Sequence, residues 1–257
     1  MAYVDDAEGW RRLIASLAQW SRIIDGASEG MCTVDGDGYI STITPVAPER
    51  SVVNDVVYWD ASGLDAAYEE IAAGYREAGI RGWTVWVPDT DTQTADWLAA
   101  RGHRLDADPE AMVLDLDGIE RPPEPPGFSR DTDAQTVARL NDAAYGMPGD
   151  FQRAFADMGA AENLYVYTAG ENGEPAACLM AFDHEDDCSV WLVATLPHAR
   201  GKGLASALMG QALADGRERG RTTSTLQATD LGRPVYERLG YRSLGEIQMW
   251  EKRETNA

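Results

Sequence analysis

The segment with the most chemical content is Arg200-Gly-Lys-Gly-Leu-Ala205, which opens a stretch of helical apolar spacing. A helix entered through glycines presents free backbone N–H groups and the positive end of its dipole, and together these form an anion site. Gly201 and Gly203 let that backbone approach a ligand closely and take up positive φ. Arg200 and Lys202 add two cations, in a chain with only two lysines. Phosphate or pyrophosphate is the natural guest. The segment lacks the Gly-Lys-Ser/Thr ending of a P-loop, and Ser206 stands where a Rossmann loop needs Gly or Ala. The competing interpretation is a glycine-softened turn ahead of an ordinary helix.

Fewer residues suggest acid–base or metal chemistry. Asp183, Glu185, Asp186 and Asp187 put four acids within five positions, either a source of a general base or a solvated hairpin; a water relay is an open alternative. His184 and Cys188 stand four apart, but no second pair completes a zinc site, so both are expected to be structural and no metal is expected. Cys32, Cys178 and Cys188 are odd in number and lack metal-ligand spacing, which fits reduced thiols.

Two blocks resemble the GNAT superfamily of N-acetyltransferases. Val193-Ala-Thr-Leu-Pro-His-Ala-Arg-Gly-Lys-Gly-Leu-Ala205 is similar to its acetyl-CoA signature, Arg/Gln-x-x-Gly-x-Gly/Ala, with Arg200, Gly203 and Ala205 in the defining places. Leu226 to Tyr241, ending in Tyr236-Glu-Arg-Leu-Gly-Tyr241, is similar to the family's last block, Tyr-x-x-x-Gly-Phe/Tyr. The resemblance covers residues 128–250.

The resemblance implies an α/β (α+β) fold in which a mixed, mostly antiparallel sheet is flanked by helices and its fourth and fifth strands splay into a cleft. Acetyl-CoA would enter there as co-substrate. The backbone of Val193, Ala194 and Thr195 would pair with the pantetheine arm, and N–H groups from Arg200, Gly201, Lys202, Gly203, Leu204 and Ala205 would hold the pyrophosphate. A strand N–H near Leu192 or Val193 would polarise the thioester carbonyl. Tyr236 matches the tyrosine that protonates the departing thiolate; packing its ring on the sheet is the plainer role. Tyr145, Phe151 and Phe155 fall where relatives form the acceptor pocket, with core packing as the alternative. The implied reaction is acetyl transfer to a primary amine of a small molecule, in a bacterial-type cytoplasm. Peptide or protein N-acetylation and non-catalytic acyl-CoA sensing are the rivals.

The elements that must position these groups follow from apolar spacing and breakers. Helices are expected over Asp131 to Tyr145, capped by Asp131 or Thr132, over Phe151 to Met158, from the glycine loop to about Arg219, and around Pro234 to Leu239. Strands are expected at Leu164–Thr168, Ala176–Phe182, Ser189–Thr195 and Thr223–Ala228, with a last one ending at Trp250. Arg121-Pro-Pro-Glu-Pro-Pro-Gly127 can continue neither helix nor central strand and reads as an extended linker. It divides residues 1–120 from 128–257.

In the first part, Asp65 to Ala78 reads as a helix closed by Gly79 and Gly82, with Trp83 to Val87 a strand. Laying residue i on i+138 puts Gly82 on Gly220, Gly102 on Gly240 and Leu98 on Tyr236. The two parts therefore read as one fold used twice. In that register Arg200, Lys202 and Gly203 become Ser62, Leu64 and Asp65, and the acid becomes Leu98. A catalytically silent first domain is expected, giving a pseudo-dimeric monomer, or a homodimer.

The formal charge of −21 divides unevenly, 24 acids against 9 bases in residues 1–126 (−15) and 19 against 13 thereafter (−6). Such a surface disfavours nucleic acid and attracts cationic small molecules. The start, Met-Ala-Tyr-Val-Asp-Asp, lacks a basic n-region and an apolar h-region, and no apolar run is long enough to cross a bilayer. A cytoplasmic location without membrane contact is expected.

Overall fold

The structure is a computed structural model that describes residues 4–130, 132–171 and 173–254. Its first element, α1 (Asp6–Ile23), starts where the Asp5 carboxylate accepts the Glu8 amide N–H, and it buries Leu13, Leu17, Ala18 and Trp20. Three antiparallel strands follow: β1 (Cys32–Gly36), β2 (Tyr39–Ile43) and β3 (Asp55–Tyr58). Helix α2 (Ala61–Glu77) crosses to β4 (Gly82–Pro88), parallel to β3. It begins four residues before the expected Asp65, because Asp60 caps it by accepting the Ser62 N–H. Then come α3 (Thr92–Ala100), β5 (Arg104–Ala107) and β6 (Glu110–Asp115).

The second half holds α4 (Ala134–Tyr145), α5 (Asp150–Ala154), β7 (Leu164–Glu171), β8 (Glu174–His184), β9 (Asp187–Thr195), α6 (Leu204–Glu218), β10 (Thr223–Ala228), α7 (Arg233–Leu239) and β11 (Arg242–Arg253). The cap of α4 is Asp133, whose carboxylate accepts the Thr136 N–H. Of the two expected caps, Asp131 lies outside the described residues, and Thr132 pairs its hydroxyl with that of Thr168 at 3.0 Å.

Among the described residues the strands form one mixed eleven-stranded sheet, ordered β1-β2-β3-β4-β11-β6-β10-β9-β8-β7, with β5 on β11. The two halves exchange their last strands. β6, which precedes the proline-rich segment, lies between β10 and β11 of the second half. In return β11 changes partner along its length: Arg242–Glu246 pairs with β6, and Ile247–Arg253 pairs with β4. The change falls at a register shift beside Gly245, whose φ of +120° and closeness to the Asp89 carboxylate both exclude a side chain.

The sheet is a middle layer between cores. Along β8, Leu179 and Ala181 face the core of Leu208, Leu213 and the rest of α6, while Met180 and Phe182 face that of Val137 and Leu140 on α4. Helix α1 joins the halves: Leu13 and Leu17 pack with Val57 and Trp86, whereas its Trp20 stacks on Trp191 of β9 at 4.9 Å. The proline-rich segment starts against α6, where Arg121 pairs with Asp215 and Glu218 and the Pro122 carbonyl accepts from Gln211, and ends against β7, where the Pro126 carbonyl accepts from the Gly170 N–H. No helix among the described residues is long and apolar enough to cross a membrane.

Candidate active site

Strands β9 and β10 run parallel, and their pairing is limited to Asp187 opposite Thr223. From that vertex they diverge. The Asp187 carboxylate closes the vertex by accepting the hydroxyls of Thr223 at 2.7 Å and Thr225 at 2.6 Å. Burial pushes Asp187 up to about 6 against the pull of those hydroxyls. Asp183 pairs with Arg219 at 2.6 Å, so the acidic stretch expected to be a solvated hairpin splits, with Glu185 and Asp186 exposed and Asp187 buried.

The open end of the V is a cleft of about 370 Å³. Val193, Ala194 and Thr195 form one wall, the loop and first turn of α6 a second, and Thr229, Leu231 and Tyr236 a third. Gly201 at φ +75° and Gly203 at φ +78° are left-handed, with open space where a Cβ would stand, so backbone conformation and not crowding favours glycine there. Gly203 is the N-cap of α6 and provides no side-chain cap, which leaves the first-turn N–H groups directed at the cleft. These residues fit a pyrophosphate bound by backbone.

The expected cofactor residues are gathered here, with two differences. Leu192 and Lys202 do not line the cleft. The Arg200 side chain turns away from the helix N-terminus: Nε donates to the Thr195 carbonyl at 3.2 Å and Nη2 to the Ala144 carbonyl at 3.0 Å, tying the end of β9 to the last turn of α4. Its charge stays at the mouth, but its donors serve carbonyls. Tyr145 lines the cleft, whereas Phe151 and Phe155 stack on each other in the core under α4.

Tyr236 sits on α7 and is buried, with its ring against Tyr241 at 5.9 Å. Gly240 at φ +100° ends the helix and returns the chain into β11. Burial first, then the nearby Tyr145 hydroxyl, holds the Tyr236 phenol above its usual range, so it carries its proton at neutral pH. Among the described residues lining the cleft none is Asp, Glu or His. No cluster of three His, Cys, Asp or Glu among the described residues could hold a metal.

The first half has the same strand pattern without the site. β3 and β4 stay paired through Asp55–Thr84, Val56–Val85 and Val57–Trp86. Only Trp59 and Asp60 separate β3 from α2, whereas residues 196–203 separate β9 from α6. Ser62 and Asp65 therefore lie within a helix and not in a loop. The Asp60 carboxylate already occupies the N-terminus of α2, and the Asp37 carbonyl packs on Gly63 so closely that a Cβ there would meet it at 2.0 Å. The glycines closing equivalent helices are Gly79 and Gly220, 141 apart, and Gly102 and Gly240, 138 apart. The repeat thus changes register between its two helices, and Gly82 starts a strand.

Residues 133–241 match the model of the acetyltransferase (GNAT) family. No curated protein matches the sequence. Among solved structures, a GCN5-related N-acetyltransferase from Kribbella flavida superposes with a TM-score of 0.67 at 16% identity, covering 94% of this chain and 95% of that one. Another GCN5-related N-acetyltransferase, from Sphaerobacter thermophilus, gives 0.60 at 18%, covering 97% and 94%. A tandem GNAT protein from the clavulanic acid biosynthesis pathway gives 0.56 at 14%, covering 96% of each chain. At these identities the likeness is one of fold, and it extends over both halves.

Proposed function

We propose that this chain, whose residues 133–241 match the acetyltransferase (GNAT) family model, moves the acetyl group of acetyl-CoA to a primary amine of a small molecule by direct attack. One observation carries the proposal: the uncapped N-terminus of α6, the diverging β9 and β10, and the buried Tyr236 all meet in a single cleft. Acetyl-CoA supplies the acyl carbon as an activated thioester. First-turn N–H groups of α6 bind its pyrophosphate, and the backbone of Val193 to Thr195 lies along its arm. The amine nitrogen bonds to the carbonyl carbon, the C–S bond breaks, and Tyr236 gives its proton to the sulfur. The nitrogen's surplus proton passes to water, from which Tyr236 regains its own; among the described residues no carboxylate or imidazole lines the cleft.

Residues 1–120 are assigned no cofactor of their own. Asp60 places a negative charge where a phosphate would sit, and Leu98 on α3 corresponds to Tyr236 on α7. The acidic surface favours a cationic acceptor.

A panel of amines, amino sugars, amino acids and peptides, read by thiol release and product mass, tests the function. At least one small amine is expected to release thiol and gain one acetyl group. Activity confined to peptides would move the acceptor class, and acetyl-CoA binding without release by any acceptor would replace the enzyme with a sensor.

A further inference from the structure

Strand β9 carries a bulge in the cleft wall. Its pairing with β8 passes from Ala194 opposite Cys178 to Trp191 opposite Met180, so Leu192 and Val193 together face the single Leu179. Leu192 is left-handed, at φ +52°, a conformation that a leucine keeps only where its surroundings impose it. Two side chains one turn apart on α4 impose it. Asn141 donates from Nδ2 to the Leu192 carbonyl at 3.0 Å, and the Tyr145 hydroxyl donates to the Val193 carbonyl at 3.1 Å.

Asn141 is out of place as a packing residue. It stands mid-helix, where asparagine is a poor helix former, and it is buried among Val137, Ala138, Leu140 and Cys178. Its amide also reaches back to the Val137 carbonyl at 3.0 Å, which fixes the side chain against its own helix. The group is therefore a rigid donor aimed at one carbonyl of the bulge.

A trans peptide group is planar, with its N–H directed opposite to its C=O. Holding the Leu192 carbonyl on the buried Asn141 therefore fixes the direction of the Val193 N–H, in a residue that lines the cleft. Holding the Val193 carbonyl on Tyr145 fixes the next peptide in turn. We infer that Asn141, seconded by Tyr145, is a positioning residue that sets the Val193 N–H as the donor polarising the thioester carbonyl. The inference rests on the acetyltransferase reading of this cleft.

The test uses full-length protein and acetyl-CoA labelled with ¹³C at the acetyl carbonyl, observed by NMR, with affinity measured by calorimetry. A hydrogen bond to the carbonyl oxygen moves that resonance downfield of free acetyl-CoA. The wild type is expected to show the shift. Asn141→Leu, close in size, should bind within about threefold, lose most of the shift, and lower kcat by about tenfold or more with little change in KM for acetyl-CoA. Tyr145→Phe, which removes one hydroxyl from a half-exposed ring, should lose part of the shift and keeps the test decisive should Asn141→Leu fail to fold. A wild-type resonance at the free position, or a full shift retained in the folded variants, overturns the assignment while leaving acetyl-CoA binding intact. A wild type that binds no acetyl-CoA refutes the cofactor reading itself.

Discussion

Tyr236→Phe is expected to lower kcat by about a hundredfold or more while the dissociation constant of acetyl-CoA stays within about twofold, the signature of an interaction made in the transition state alone. The substitution removes one oxygen. The ring remains packed on Tyr241, whose hydroxyl is engaged by Ser224 at 2.6 Å, so α7 and the end of β10 should keep their places. A phenol held protonated by burial is a weak acid, yet the sulfur it serves leaves beside the same buried ring, and desolvation there raises the thiolate's proton affinity as well. The two effects offset one another. Steady-state kinetics with the best acceptor from the amine panel provide the check, and a variant with unchanged kcat would return Tyr236 to the role of a packing residue.

A fragment beginning at Arg121 is expected not to fold. The strand exchange gives the second half β6 as the neighbour of both β10 and β11, and a fragment without it exposes the unpaired edges of both. It also loses Met112, Leu114 and Leu116, all buried in the core beneath α6. At roughly 1.5 to 3 kcal/mol for each such side chain, their loss amounts to about 5 to 9 kcal/mol, comparable with the roughly 5 to 15 kcal/mol that holds a whole domain folded. The stretch Ile247–Arg253 would lose β4 besides. Amide proton NMR decides the matter: collapsed dispersion is expected, and a dispersed spectrum would show that the exchanged strand is dispensable.

That exchange explains why local elements were easier to read than their arrangement. The proline run could be read as extended, but the strand before it, Glu110–Asp115, was not read, and nothing in the residue types says that it pairs forward across the run. Adjacency in sequence favours the opposite assumption. The place of the glycine loop ahead of α6 and of Tyr236 on α7 was legible because backbone chemistry and a fixed spacing carry them. The role of Arg200 was less so, since its charge lies at the proposed anion site while its donors answer two carbonyls, Ala144 and Thr195, brought near only by the fold. Asp183 and Asp187 looked solvated because their partners, Arg219, Thr223 and Thr225, come from α6 and β10. Asn141 left no signal beyond being an asparagine inside an apolar helical face. The left-handed Leu192 left none, because no residue type announces a strain imposed by distant side chains.

The cleft where β9 and β10 diverge is proposed to bind acetyl-CoA through the backbone at Gly203. The most direct test is a thermal-shift titration of the wild type and of Gly203→Asp with acetyl-CoA. Aspartate tolerates the left-handed backbone better than most residues, so the variant should fold. Its carboxylate would stand beside the first-turn N–H groups of α6, placing negative charge where the pyrophosphate is proposed to bind. Ligand at about 100 times its dissociation constant adds about 2.7 kcal/mol to the native state, which for a chain of this size raises Tm by roughly 5 to 10 °C. That rise is expected for the wild type, and little or none for the variant. A wild type that does not shift, or a variant that shifts as far as the wild type, would contradict the proposal.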